Sequence, residues 1–169
     1  GVTYAAQIIG FDHDTLTTAD GGRTKAGITF QLVDCLKTTY SMNGSNTNVN
    51  GWRGSTMRTS TMATLLNQLS SDLKSVLKFV NKVTSVGNNS SGLETTSDKL
   101  FLLSEIEVFG ATQYSYAGEG KQYEYYTAGN STIKKVNGSA YYWWERSPCS
   151  GSTDYFLSLI HISEPTRPY

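Results

Sequence analysis

The hydrophobic pattern begins with Ala6–Phe11, where Ile8, Ile9 and Phe11 mark a first strand. Asp12-His13-Asp14 opens a polar stretch that runs to Asp20-Gly21-Gly22 and reads as a loop. Residues 27–36 form the next strand, with Ile28, Phe30 and Leu32 alternating with Thr29 and Gln31. Residues 41–51 are Asn, Ser and Gly with little else, a surface loop. Met57, Met62, Leu65, Leu66 and Leu69 fall at helical spacing, predicting a short helix over 55–69. Ser55 is its N-cap, because a hydroxyl there accepts an orphan N–H of the first turn. Arg58 lies one turn before Met62, which puts a charge on or beside the core face.

Ser70-Ser71-Asp72 ends that run and offers a cap to a second short helix. Residues 73–86 fit two readings. Leu73, Val76, Leu77, Val80 and Val83 keep helical spacing, whereas the β-branched content of 76–86 suits a strand; periodicity alone leans to helix. Residues 87–92 read as a loop and 99–103 as a short buried strand. A one-turn helix over 104–109 is capped by Ser104 and stopped by Gly110. Residues 114–130 are Tyr- and Gly-rich and irregular, and Trp143-Trp144 sits in a strand beginning near Ala140. No internal repeat and no domain boundary interrupts the pattern.

Composition agrees with these short elements. Only 17% of the 169 residues are charged, and polarity comes from Ser, Thr, Asn and Gly, which favour turns over long helices. Eleven Tyr and three Trp add strand propensity, so an α+β or mainly β domain is expected. Fourteen basic and fourteen acidic residues cancel, so charge argues against nucleic acid or an anionic membrane as partner. No window is apolar enough to span a membrane. Cys35 and Cys149 lie far apart without metal-ligand spacing and read as isolated thiols rather than a disulfide.

Candidate chemistry is sparse. His13 has no nucleophile beside it and reads as part of a polar turn. Asp12, Asp14 and Asp20 lack the order of a calcium loop. Glu105 with Glu107, and Glu119 with Glu124, read as solvated acidic faces. Arg58 and Arg146 are expected in a buried polar network with Glu107 or Glu145, or stacked on Trp rings, with a clamp on a ligand carboxylate as the functional alternative. The cluster Tyr114, Tyr116, Tyr123, Tyr125, Tyr126, Tyr141 and Tyr142 reads equally as core or as a binding surface. No catalytic residue, metal or cofactor is predicted.

Four features resemble a bacterial domain family of unknown function, found in large extracellular and phage-associated proteins. They are Gln7-Ile8-Ile9-Gly10-Phe11; Trp52 with Ser55-x-x-Arg58 and Leu65-Leu66-Asn67; Leu100-Phe101-Leu102-Leu103-Ser104 with Glu107; and Trp143-Trp144-x-Arg146-Ser147-Pro148. The family is similar to C-type-lectin-like folds, a group that includes formylglycine-generating enzymes. The resemblance implies a single α+β domain over 4–156 in which 73–86 is turn plus strand. It also implies a structural network of Trp52, Ser55, Arg58 and Glu107. An oxidase of the formylglycine-generating type needs a C-terminal cysteine pair, and only Cys149 lies there.

From Leu157 the character changes, and residues 157–167 resemble a translated sequencing adapter. Residues 157–169 are accordingly expected to be a non-native tail on a C-terminally truncated domain, with no packed structure after Phe156. That expectation removes His161, Glu164 and Arg167 from candidate chemistry. The function expected is a non-catalytic binding or display module, extracellular or at the cell surface. Its ligand would be a glycan or a protein, contacted by Trp143, Trp144, Arg146, Tyr142 and Tyr125. The alternatives are a structural spacer of a larger surface protein, or an enzyme whose site lies in a missing C-terminus.

Overall fold

The first two expected strands form, and the loop between them is itself mostly strand. In the computed structural model, which describes residues 2–159, β1 (Ala6–Phe11) is followed by a hairpin of β2 (Thr15–Asp20) and β3 (Arg23–Lys25). The next strand, β4 (Ile28–Leu32), is shorter than the predicted 27–36. The reading of 12–22 as a loop failed because β2 is Thr-rich and buries only Leu16, so it carries no hydrophobic period. Gly21 and Gly22 both take positive φ and close the turn.

The single helix expected over 55–69 is broken into α1 (Gly51–Gly54), a π-helical turn over Met57–Thr61, and α2 (Met62–Gln68). Ser55 stands at the joint with extended dihedrals. Its hydroxyl accepts the Arg58 N–H at 3.2 Å and donates to the Trp52 carbonyl at 2.9 Å, so it does open the following helical turn. α3 (Ser71–Val76) is capped by the Ser70 side chain, which accepts the Leu73 N–H.

The ambiguous stretch 73–86 divides between its two readings: α3 ends at Val76, and β5 (Val80–Gly87) begins four residues later. One continuous helix would have had a face to bury, yet Leu73 and Val76 are exposed. Asn88 and Asn89, both at positive φ, turn the chain into β6 (Ser90–Asp98), a strand the pattern hid under Ser, Thr and Gly. These strands form one antiparallel sheet in the order β3-β2-β5-β6.

The expected strand over 99–103 joins no sheet; it is tied to the chain ahead by the Arg146 N–H bonding to the Leu103 carbonyl at 2.8 Å. α4 (Glu105–Phe109) matches its prediction. Ser104 and Glu107 form a full capping box, and Gly110 takes φ 72° at the C-cap. α5 (Glu124–Thr127) gives one turn to the stretch read as irregular. β7 (Lys134–Val136) and β8 (Ser139–Tyr141) make a hairpin, and β9 (Trp143–Pro148) pairs with β10 (Phe156–Leu159).

β10 corrects the expectation that packing stops at Phe156. Ser158 pairs with Trp144 and Leu159 with Trp143, and Leu157 and Leu159 are fully buried. The reason is local: β9 offers a ladder edge, and a mostly apolar run beside it satisfies that edge whatever its origin. Residues 160–169, including His161, Glu164 and Arg167, lie outside the described residues.

β10 also joins the two halves of the core. Leu159 packs with Ile9, Leu103, Val108, Tyr123, Tyr126 and Trp143. Phe156 packs with Met42, Trp52 and Met57. Cys149 is buried, Cys35 is half-buried, and the two are not joined to each other in a disulfide. No described helix is long and apolar enough to cross a membrane.

Candidate functional site

Four charged side chains meet in the interior. Arg146 on β9 grips Glu107 on α4 through both terminal guanidinium nitrogens, one of them to Glu107 Oε1 at 3.1 Å. The other face of Glu107 receives Lys82 Nζ from β5 at 2.6 Å. Lys82 also reaches Asp14 Oδ1 at 2.8 Å and donates to the Tyr123 hydroxyl at 3.1 Å, with the Phe101 ring centroid 4.3 Å away. Asp14 accepts the hydroxyls of Thr29 at 2.6 Å and Tyr123 at 2.7 Å. Arg146 donates further to Thr84 Oγ1 and to the carbonyls of Leu102, Val83 and Glu119. These four groups are almost completely withdrawn from solvent.

Burial alone would raise the carboxyl pKa values of Glu107 and Asp14. The cations beside them outweigh it and hold both below the usual carboxylate range. Burial would likewise lower the Arg146 pKa, but Glu107 reverses the sign and raises it. Two cations and two anions therefore form a closed, neutral knot of strands and helix, and its polar atoms are turned toward each other rather than toward solvent.

Three further carboxyls surround the knot. Glu105 accepts backbone N–H groups of Gln113, Tyr114 and Ser115 and the Ser115 hydroxyl at 2.6 Å. Glu119 accepts the Ser85 N–H at 2.8 Å and the Ser147 hydroxyl. Its pKa is pushed up by burial to about 7, against the pull of those donors. Glu145 is fully buried, and among the described residues neither of its carboxyl oxygens has a hydrogen-bond partner. Burial, with Glu105 and Glu119 adding repulsion, raises its pKa well above the ordinary range. The reading of Glu105, Glu107 and Glu119 as solvated faces is overturned: all three are buried, and only Glu124 is exposed. Neighbouring donors, invisible in the local sequence, make that burial tolerable.

The expected network of Trp52, Ser55, Arg58 and Glu107 is two networks. Trp52 Nε1 and Arg58 Nε both donate to Asp98, at 3.0 and 2.7 Å, and Ser55 lies beside them. Glu107 belongs to Arg146 instead. Asp98, Lys82 and Asp14 were not among the predicted residues, since nothing in their local spacing separates a buried charge from a solvated one.

The predicted ligand residues are also divided. Trp143 is buried and donates its indole N–H to the Thr132 carbonyl at 3.0 Å; half-buried Trp144 donates to the Tyr40 carbonyl at 2.9 Å. Arg146 is wholly internal, and Tyr125 is half-buried against the ring of Tyr126. Only Tyr142 is exposed, beside Tyr141. The tyrosines are thus divided: Tyr123 and Tyr126 are core, and Tyr141 and Tyr142 are exposed.

His13 is buried, stacked on Tyr123 with ring centroids 3.8 Å apart, and 3.4 Å from the Glu124 carboxylate. Asp12 and Asp20 pair with Arg23 and Lys78. Among the described residues, no group of three or more His, Cys, Asp or Glu side chains is placed to hold a metal ion. One cleft of about 260 Å³ includes Tyr4, Cys35 and Lys135, and another of about 380 Å³ includes Phe109, Tyr126 and Ile133. Neither is lined by a predicted ligand residue.

No curated protein and no solved structure matches the chain. Residues 26–164 match a family described as Domain of unknown function (DUF6273), a span that includes the β9 and α4 halves of the charged knot. By that match over most of its length, the chain belongs to the DUF6273 family.

Proposed function

We propose that this chain is a non-catalytic ligand-binding or display module of a bacterial extracellular or phage-associated protein, with a C-type-lectin-like arrangement. The observation that carries the reading is the exposed tyrosine pair where β8 meets β9. Tyr141 and Tyr142 are 42% and 52% exposed, with ring centroids 6.4 Å apart in an edge-to-face arrangement. The next two residues, Trp143 and Trp144, are pinned by their indole hydrogen bonds. Two aromatic surfaces therefore stand in solvent on a backbone held from behind. That geometry suits stacking on a sugar ring or a partner's side chains at low entropic cost.

A second reading, a structural spacer in a larger surface protein, is favoured by the internal placement of Trp143, Trp144 and Arg146. Glycan and protein arrays separate the two. The native chain should give saturable binding that Tyr141→Ser with Tyr142→Ser weakens at least tenfold at unchanged melting temperature. Saturable binding by neither protein supports the spacer. Turnover of an arrayed compound without retention overturns the non-catalytic reading.

A further inference from the structure

The sheet formed by β1 and β4 is inside out. An alternating strand ordinarily turns its apolar set to the core, and a one-residue slip would reverse it. Here Ile28, Phe30 and Leu32 point outward, 45%, 58% and 37% exposed. Across the ladder, Phe30 faces Ile8 and Ile28 faces Phe11; these partners are 41% and 61% exposed. Leu32 faces Ala6, so three cross-strand pairs form one apolar outer face, continued by Val33 at 37% exposure.

The register is not a slip, because the polar residues turned inward are held there. Thr29 donates to Asp14 at 2.6 Å, and the Tyr126 hydroxyl donates to Gln31 at 2.7 Å. On β1 the inward residue is Ile9, and the ladder shifts between Ile8 and Gly10, so Ile8 and Phe11 both stay outside. The inner bonds tie the sheet to the Asp14 end of the charged knot. Flipping the strand to hide Phe30 would leave Asp14 short of a donor in the interior.

We infer that this face is a self-association surface, occupied by the same face of a second copy related by a two-fold axis. Neither β1 nor β4 contains an ionisable residue, so the strands of two apposed faces bring no like charges together, and Asp12 and Asp34 stand only at their ends. By the same token, nothing on the face selects a charged partner. The exposed side chains leave on the order of 500 Å² of apolar surface in water, at the upper end for a monomer. Two such faces together cover about 1,000 Å², close to the minimum for a specific interface. Two short antiparallel ribbons meeting face to face pack like the halves of a β-sandwich. An isologous contact of this kind closes on itself, so assembly stops at two. At that area the dimer is weak and exchanging, with dissociation in the micromolar range.

The inference does not depend on the tyrosine pair, which lies at the junction of β8 and β9. Sedimentation velocity on the full chain across about 1–300 μM tests it. The weight-average mass should rise from one chain and level off at two. Phe11→Gln with Phe30→Gln should stay monomeric over the same range, with near-ultraviolet circular dichroism and melting temperature preserved because both side chains are exposed. Ser substitution at Tyr141 and Tyr142 should leave dimerisation unchanged. A monomer at every concentration overturns the proposal. So does a dimer that survives the double Phe variant, or a mass that climbs without a plateau.

Discussion

Arg146 and Glu107 form a two-pronged ion pair in which neither partner has appreciable contact with solvent. Such a pair is worth less than its geometry suggests, because both groups lose their hydration to make it. Breaking it is another matter. Arg146→Leu would leave Glu107 with Lys82 as its remaining cation and would free three carbonyls and Thr84 from their donor. The expected loss is about 3–5 kcal/mol, read from urea denaturation. Arg146→Lys should recover little of it, since a single ammonium cannot reproduce the fork.

Asp98 is the corresponding hinge of the second network, taking Trp52 Nε1 on one oxygen and Arg58 Nε on the other. Thr96 adds its hydroxyl at 2.6 Å. Asp98→Asn presents an amide donor where three donors converge, and it should cost about 2–4 kcal/mol. A double-mutant cycle of Asp98→Asn with Arg58→Met checks the assignment: the paired residues should couple by about 1 kcal/mol or more. An additive result would show that Arg58 acts without Asp98.

These networks also mark where the sequence became unreadable. The Ser104 cap of α4 and the hydroxyl bond of Ser55 were legible because both ends of each bond lie within one turn, whereas the return bond from Glu107 that completes the capping box was not read. Arg58 was legible as a core-side charge from helical spacing, but its partner lies forty residues away on a strand of Ser and Thr. β2 and β6 were missed for the same reason: their ladders are made by backbone groups, and their side chains carry little apolar period. The loop over 41–51 shows the opposite error. Asn48, in what reads as a solvated stretch, is fully buried. It donates to the Ser152 and Tyr155 carbonyls and accepts the Asn88 N–H. Composition reports the average polarity of a segment and cannot single out the one amide that clamps three loops.

Gly87 seals that clamp. It takes φ 72°, and a Cβ at its position would run into the Asn48 carbonyl oxygen. Gly87→Ala therefore combines backbone strain with a backbone clash and should cost about 2–4 kcal/mol by thermal unfolding. Ala at Gly129, which also has positive φ but open space around it, should cost about 1 kcal/mol. Equal losses at the two sites would argue against the close approach.

The pH profile of stability should be asymmetric. Glu119 has a folded pKa near 7 against an ordinary value of 4.5, so the folded state holds its proton more tightly than the unfolded chain does. Its contribution is complete below pH 4.5 and is lost as pH rises through 7. Glu107 and Asp14 act in the other direction: their folded values are depressed, so their contribution is present above the unfolded value and falls away in acid. Melting temperature should therefore peak on the mildly acidic side and decline toward pH 8. A peak above pH 7.5 would contradict the assignment.

Glu145 sharpens that test to one side chain. Its carboxyl is buried without a hydrogen-bond partner among the described residues, and burial first, then Glu105 and Glu119, favour the protonated form. The folded protein holds this proton to higher pH than the unfolded chain does, so the side chain costs stability as pH rises above the unfolded value. Glu145→Gln keeps the shape and removes the titration. It should raise stability more at pH 8 than at pH 4, because the linkage cost of the native carboxyl grows with pH. Paired denaturation curves at the two pH values give the answer directly. A gain of the same size at both would trace the effect to packing, and a loss at pH 8 would mean that the carboxylate is ionised and needed where it stands.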